Sequence, residues 1–210
     1  DPELDLVYWG TGNAGPWNPA TRPGDNLYTA SVLAFRPKTG EIVWHYQFTP
    51  NEMYDWDSNW EMIQADLMVN GAKRKVVMQM HRNGFLYVLD RTDGKLLSAE
   101  PFAKINWATH VDMETGRPVE AEGVRDSRAD LVIIPGPSGA HNWHPMSFHP
   151  GTGLVYIPVI EAGAIWTMPS QPFEYIKGGI NSTSLYIFPA PGEWGLDSEL
   201  AKTLPPLAEL

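Results

Sequence analysis

Short apolar segments recur along the chain, and most are rich in β-branched or aromatic residues. Glycine, proline, asparagine or aspartate bounds each of them, as is typical of strands that end in tight turns. None keeps the 3.6-residue periodicity of a helix over its length. The predicted strands are Leu6–Trp9, Ser31–Phe35, Ile42–Tyr46, Lys75–Met80, Phe85–Leu89, Leu131–Ile134 and Leu154–Val159. The pattern therefore predicts an all-β fold.

Two stretches depart from this pattern. Residues Ser198–Leu207 have mild helical character, which Pro205-Pro206 ends. The long polar stretch Pro101–Asp130 is expected to be an excursion from the sheets. Neither stretch has the composition of an interdomain linker, so we expect residues 1–210 to form a single domain.

A strand, a tight glycine turn and a second strand recur as a unit. The copies span residues 33–44 and 86–97, with a looser third copy at 146–156. A polar residue followed by glycine supplies the left-handed conformation that hairpin turns require. Repeated hairpins favour a β-propeller, in which each blade buries its faces against its neighbours, although a β-sandwich stays open.

The composition excludes several classes of function. The 210 residues carry 15 Lys and Arg against 25 Asp and Glu, a net charge of −10, which disfavours a nucleic-acid surface. The absence of cysteine rules out disulfides and thiolate metal sites. No apolar run is long enough for a membrane-spanning helix, and no signal peptide opens the sequence.

An acidic pair next to tryptophans is the first candidate for chemistry. In extended geometry Asp55 and Asp57 project to one face of the chain, where two carboxylates repel unless a cation lies between them. The alternative is a solvated acidic loop. The flanking Trp56 and Trp60 favour a walled pocket, because exposed tryptophans are costly.

Three further candidates have structural alternatives. Arg82 precedes the hairpin signal Asn83-Gly84, so it is either an exposed turn residue or a donor at the mouth of the sheet. Asn13, in a glycine-rich run, is either a turn residue or a ligand. His141 and His144 are more typical of a packed turn than of a metal site.

Five motifs in collinear order resemble the quinoprotein alcohol dehydrogenases, which use pyrroloquinoline quinone (PQQ). The resemblance is strong over about residues 5–160 and less clear over 161–210, and it is nearest to the ethanol-oxidising and quinohaemoprotein branch. The motifs are residues 10–18 (GTGNAGPWN), 22–26 (RPGDN), 49–50 (TP) followed by 54–57 (YDWD), 82–85 (RNGF) with 88–94 (VLDRTDG), and 135–137 (PGP) through 140–148 (AHNWHPMSF).

The resemblance implies part, about half, of an eight-bladed propeller with PQQ and a metal ion near its axis. Asn13 would supply a metal oxygen, and Asp55 would be the metal-bound catalytic base that takes the alcohol proton. Arg82 would hydrogen-bond the reactive quinone carbonyls, where negative charge develops. Asn142 would contact PQQ, and Trp143 would close the pocket nearby.

The resemblance also bears on the metal. An aspartate two positions after the catalytic one, here Asp57, resembles the lanthanide-dependent members rather than the calcium members. One more anionic oxygen suits a trivalent ion of about calcium's size. We therefore expect a lanthanide, with Ca²⁺ as the alternative. The family's metal-binding Glu and the Trp under the quinone precede the Asn13 motif and are not in this chain.

The implied activity is oxidation of a small primary alcohol to the aldehyde, with a cytochrome c as electron acceptor. The resemblance further implies a periplasmic location, and a homodimer is possible in principle. The alternative is a catalytically silent propeller segment that serves in binding or assembly. The retained Asn13, Asp55, Asp57 and Arg82 favour the enzyme, whereas the missing upstream residues favour the silent segment for this chain alone.

Overall fold

The computed structural model describes residues 1–125, 131–167 and 174–179, together with the backbone of residues 185–187. A short 3₁₀ helix, Pro19–Thr21, lies between the first two strands. The strands are β1 (Val7–Gly10), β2 (Ser31–Phe35), β3 (Ile42–Gln47), β4 (Ile63–Val69), β5 (Ala72–Met80), β6 (Phe85–Asp90), β7 (Leu96–Pro101), β8 (Ala108–Val111), β9 (Pro118–Glu120), β10 (Leu131–Ile133), β11 (Ser147–His149), β12 (Leu154–Tyr156), β13 (Ala164–Thr167) and β14 (Leu185–Ile187).

All strand pairs in the described part of the chain are antiparallel. They form a three-stranded sheet β1-β2-β3, a four-stranded sheet β4-β5-β6-β7 and a second three-stranded sheet β10-β13-β14. The strand pairs β8-β9 and β11-β12 form two smaller sheets. The all-β prediction is confirmed, and each predicted strand overlaps an observed one.

Several strands were not predicted from the sequence. One of them, β4, alternates half-buried and exposed positions, but it contains Gln, Ala, Leu and Met, which are not specific to strands. The stretch Pro101–Asp130 holds the hairpin β8-β9, whose turn uses Gly116 at φ 71°. The final predicted strand ends at Tyr156 rather than Val159, just before Ile157-Pro158, where proline cannot donate to a ladder.

The three predicted hairpin repeats are confirmed as β2-β3, β6-β7 and β11-β12. Their turn glycines, Gly40, Gly94 and Gly153, have φ values of 73°, 77° and 71°. At Gly94 a side chain is also excluded by packing, because a Cβ would lie 2.6 Å from the Trp44 ring. The repeat thus fixes both the turn and the contact between neighbouring sheets.

Aromatic residues bury the interface between the sheets β1-β2-β3 and β4-β7. Phe48 and Tyr87 meet with ring centroids 4.8 Å apart, and Tyr46 lies 5.7 Å from Tyr87. The Trp44 indole donates to the carbonyl of Arg91 at 3.2 Å. This face-to-face packing of separate antiparallel sheets is what stacked propeller blades require.

Two sequence expectations concern helices. The helical character expected for Ser198–Leu207 lies outside the described residues. Within the described part of the chain, no helix has the length and apolar character needed to cross a membrane.

Candidate active site

Four loops that lie far apart in the sequence meet around Arg82. Asn13 follows β1, and Asp55 and Asp57 lie between β3 and β4. Arg82 occupies the turn between β5 and β6, and Asn142 lies between β10 and β11. Because these loops join at one place, the residues singled out from separate motifs become neighbours.

Residues 54–57, the acidic loop, alternate buried aromatic rings with partly exposed carboxylates. Tyr54 and Trp56 are fully buried, with ring centroids 4.3 Å apart, and the Trp56 indole donates to the Gly136 carbonyl at 3.0 Å. The side chains of Asp55 and Asp57 keep 30% and 21% of their exposure. The backbone is not the extended strand expected from the sequence, since Asp55 has φ 68°. The loop is therefore neither a strand nor freely solvated.

One guanidinium faces both carboxylates. Arg82 Nη1 donates to the Asp55 carbonyl at 2.5 Å and lies 3.8 Å from Asp55 Oδ2. Arg82 Nη2 lies 3.4 Å from Asp57 Oδ2 and donates to Asn142 Oδ1 at 3.1 Å. The guanidinium also lies over the Trp60 ring, 4.9 Å from its centroid. With 12% of its side chain exposed, Arg82 is not a surface turn residue.

Glycines allow the loops to approach Arg82. The predicted Asn83-Gly84 turn is present, with Gly84 at φ 95°. On the opposite side, a Cβ on Gly139 would lie 2.4 Å from Arg82 Cγ. The next residue, Ala140, donates its N–H to the Arg82 carbonyl at 2.8 Å. The arginine is thus held at its backbone and at its head group.

The end of β1 packs directly against the acidic loop. The Asn13 N–H donates to Asp57 Oδ1 at 2.7 Å, and the Ser58 N–H donates to the Thr11 carbonyl at 2.9 Å. A Cβ on Gly10 would lie 1.7 Å from the Ser58 carbonyl oxygen, so only glycine fits there. Asn13 is therefore next to Asp57, as a shared site requires.

A buried pair behind the loop was not found from the sequence. Ser58 Oγ lies 2.7 Å from His81 Nε2, and both residues are fully buried. His81 Nδ1 accepts the Asn83 N–H at 3.2 Å, so Nε2 carries the proton and donates to the serine. Burial, reinforced by Arg82, lowers the pKa of His81 to about 3. His81 is thus a neutral anchor for Ser58 rather than a base that activates it.

Asn142 and Trp143 have different surroundings. Asn142 Nδ2 donates to the Ser138 carbonyl at 2.9 Å, while its Oδ1 accepts from Arg82. Trp143 is 72% exposed and stacks on His144 at 4.4 Å between ring centroids. Among the described residues, Asn142 belongs to the cluster around Arg82, which also contains Asn13, Asp55 and Asp57. Trp143 is exposed at the surface.

Asp55 is the residue of this cluster whose pKa is raised. Burial raises the pKa of Asp55 to about 6, Arg82 opposes this shift, and Asp57 adds to it. Burial, rather than the charge of Asp57, is therefore the main cause of the raised pKa of Asp55. A carboxyl group whose pKa lies close to neutrality is suited to exchange a proton.

The oxygen donors around Asp57 fit a hard cation. Asp55 and Asp57 supply carboxylates beside the loop that carries Asn13, and oxygen ligands are those that Ca²⁺ and lanthanide ions prefer. Within the described ranges, no group of three or more His, Asp or Glu side chains has the geometry of a complete metal site. The residues present thus provide part of a ligand set for such an ion.

A cavity of about 780 Å³ runs along β1 next to the cluster. Its lining includes Thr11, Gly12 and Trp60, which also border the acidic loop, and it extends past Glu61 to Gln64. Asp55 and Asp57 do not line it. The cavity is therefore a neighbour of the charged cluster rather than its centre.

Comparison with known proteins identifies the fold and the family. Residues 1–101 match the family "PQQ: Glucose/ethanol/alcohol dehydrogenase, beta-propeller domain". The quinohemoprotein alcohol dehydrogenase ADH IIB of Pseudomonas putida is 54% identical over 176 residues, which are 82% of this chain and 26% of that protein. The chain belongs to the quinoprotein alcohol dehydrogenase family. It spans about a quarter of the length of such relatives.

Solved structures of this family have the same fold. Quinohemoprotein alcohol dehydrogenase ADHIIG from Pseudomonas putida HK5 superimposes with a TM-score of 0.85 at 40% identity, over 91% of this chain and 29% of that one. A europium-containing methanol dehydrogenase superimposes with a TM-score of 0.83 at 36% identity, over 94% and 34%. The propeller prediction is confirmed as a partial propeller, and the β-sandwich alternative is wrong.

Proposed function

We propose that this chain contributes the catalytic base and part of the metal site of a PQQ-dependent enzyme that oxidises primary alcohols to aldehydes. The observation that carries the proposal is the convergence of Asp55, Asp57 and Asn142 on one guanidinium, that of Arg82, at 3.1 to 3.8 Å. A silent propeller segment has no need for this charged and partly exposed arrangement.

Each residue has a role that its surroundings support. Asp55 accepts the hydroxyl proton of the alcohol, since its pKa of about 6 lets it be ionised at neutral pH and still bind a proton. Arg82 presents a fixed positive charge toward the acceptor, and Asn142 holds the guanidinium by accepting a hydrogen bond from Nη2. When bound, PQQ would supply the hydride acceptor and the metal ion a Lewis acid.

Asn13, Asp55 and Asp57 are the ligands that we assign to the metal from this chain. A trivalent ion gains more than Ca²⁺ from the second carboxylate, because the site then carries one more negative charge. We therefore favour a lanthanide over Ca²⁺. The europium-containing methanol dehydrogenase shows that a relative of this chain holds such an ion.

The test is dye-linked alcohol oxidation by the purified protein with PQQ and either La³⁺, Ca²⁺ or no added metal. Turnover that needs La³⁺ supports the assignment. The Asp57→Ala variant should then lose La³⁺-dependent activity by at least about 100-fold while any Ca²⁺-dependent activity falls less. Equal losses with both metals would contradict a lanthanide-specific role for Asp57.

The whole enzyme's context is proposed from the relatives. One relative is named 1-butanol dehydrogenase (cytochrome c), from Thauera butanivorans, which supports a cytochrome c as electron acceptor. We also propose the periplasm as the location. If the protein with PQQ shows no turnover with any metal, the silent-segment alternative holds for this chain, which covers 26% of its relative ADH IIB.

A further inference from the structure

A fully buried carboxylate lies behind the acidic loop and takes no part in the proposed chemistry. Glu52 is 0% exposed, although acidic side chains are rarely buried without a partner. Its Oε1 accepts the N–H of Tyr54 and, at 3.0 Å, the N–H of Trp56. Its Oε2 has no hydrogen-bond partner. One carboxylate oxygen of Glu52, Oε1, thus accepts both of these hydrogen bonds.

The two amides that Glu52 binds lie on either side of Asp55. Asp55 itself has φ 68°, a left-handed conformation that is unfavourable for a non-glycine residue. Such a conformation persists only where neighbouring contacts impose it. Holding the N–H groups of Tyr54 and Trp56 on one oxygen restrains the backbone on both sides of Asp55.

The backbone of Glu52 is itself anchored. The Arg22 guanidinium donates to the Glu52 carbonyl, and it also donates to the Pro16 carbonyl at 2.6 Å. Arg125 donates to the Asn51 carbonyl at 3.0 Å. Arg22 therefore joins the loop that carries Asn13 to the loop that carries Asp55, so the glutamate acts from a fixed position.

We propose that Glu52 is a positioning residue, whose carboxylate holds the Tyr54 and Trp56 amides so that Asp55 and Asp57 address one cation. It is not a catalytic residue, because it lies buried behind the loop and does not reach the solvent-facing side. The inference rests on the proposed metal site for its consequence, but the amide clamp itself can be measured without any metal.

Two Glu52 variants of similar size distinguish the loss of the hydrogen-bond acceptor from a change in side-chain volume. Glu52→Gln keeps an oxygen that can accept both amides, and Glu52→Met fills the space without an acceptor. Hydrogen exchange of the Tyr54 and Trp56 amides reports the clamp in the metal-free protein. Tb³⁺ luminescence, measured in H₂O and D₂O, reports affinity and the number of waters left on the ion.

The Gln variant should retain the wild-type amide protection and the wild-type number of Tb³⁺-bound waters. The Met variant should lose protection at both amides, bind Tb³⁺ at least about tenfold more weakly and leave more water on the ion. Tyr46→Phe is the stability control, since it removes a part-buried hydrogen bond to the Gly116 carbonyl away from the loop. It should lower stability without changing the water number.

Wild-type protection and water number in the Met variant would overturn the proposal. If the Met variant does not fold, the Gln variant decides: a folded Gln variant that lacks either property also overturns it. If the wild-type protein binds no Tb³⁺, the metal part of the proposed function fails, while exchange at the two amides still decides whether Glu52 is a clamp.

Discussion

Removing the charge of Asp55 should stabilise the metal-free protein above neutral pH. Burial raises the pKa of this carboxyl from 3.8 to about 6, so ionising it in the folded state is unfavourable. At 1.36 kcal/mol for each pKa unit, the shift corresponds to about 3 kcal/mol. Because the folded protein binds the proton more tightly, stability is highest when Asp55 is protonated and falls as pH rises from about 4 to about 6.

The Asp55→Asn variant removes this titration. Its advantage over the wild type in the free energy of unfolding should therefore grow by about 2 kcal/mol between about pH 4.5 and about pH 8. Urea unfolding of both proteins in the presence of a chelator measures it. Asp5→Asn is the matched control, because Asp5 is exposed and also has a positive φ, 52°. The control variant should show no comparable pH-dependent gain.

The comparison must be made between variants rather than from the wild-type pH profile alone. His81, with a pKa of about 3, has the opposite effect: its contribution is fully present above about pH 6.5 and is lost as pH falls toward 3. Glu52, whose pKa burial raises to about 7, acts in the same direction as Asp55. A difference between Asp55→Asn and wild type that stays constant with pH would refute the electrostatic reasoning.

Two further substitutions test the packing that positions the site, each by urea unfolding. Gly10→Ala would place a Cβ 1.7 Å from the Ser58 carbonyl oxygen, so it should prevent native folding or lower the free energy of unfolding by several kcal/mol. In the control Gly15→Ala, the added Cβ would meet no neighbouring atom within 4 Å, so this variant should be nearly neutral. Trp107→Phe removes a buried indole that donates to a carbonyl at 2.7 Å and should cost about 2 kcal/mol or more. Trp9→Phe, at a ring 63% exposed, should cost less than about 0.5 kcal/mol; equal costs for either pair would contradict the packing argument.

The strands that could be predicted from the sequence are those with a strong local signal. β-Branched and aromatic runs bounded by turn residues gave β2 and β6, and the polar-glycine turns gave the hairpins. By contrast, β4 contains few residues specific to strands, and it is held by its pairing with β5. β4 and the missed hairpin β8-β9 thus depend on pairing with the next strand of the chain, which the propensity of each segment taken alone does not contain.

The site likewise contains residues that the sequence motifs identified and residues that only the structure revealed. The motifs identified Asn13, Asp55, Asp57, Arg82 and Asn142, and the structure brings these five residues into one cluster, while their roles stay predictions. Sequence reasoning did not find the supports of the cluster. Ser58, His81 and Glu52 act through buried hydrogen bonds to backbone or to one another, and nothing in their local sequence indicates burial.

The charge balance of the cluster links stability to function. One guanidinium, that of Arg82, faces two carboxylates, and burial already disfavours the charge on Asp55. A cation that binds Asp55 and Asp57 would replace the proton on Asp55 and supply the missing positive charge. Glu52 and the Ser58–His81 pair hold both ends of the loop, so the carboxylates have little freedom to move apart and relieve their repulsion. The same restraint would therefore favour a cation bound between the two carboxylates.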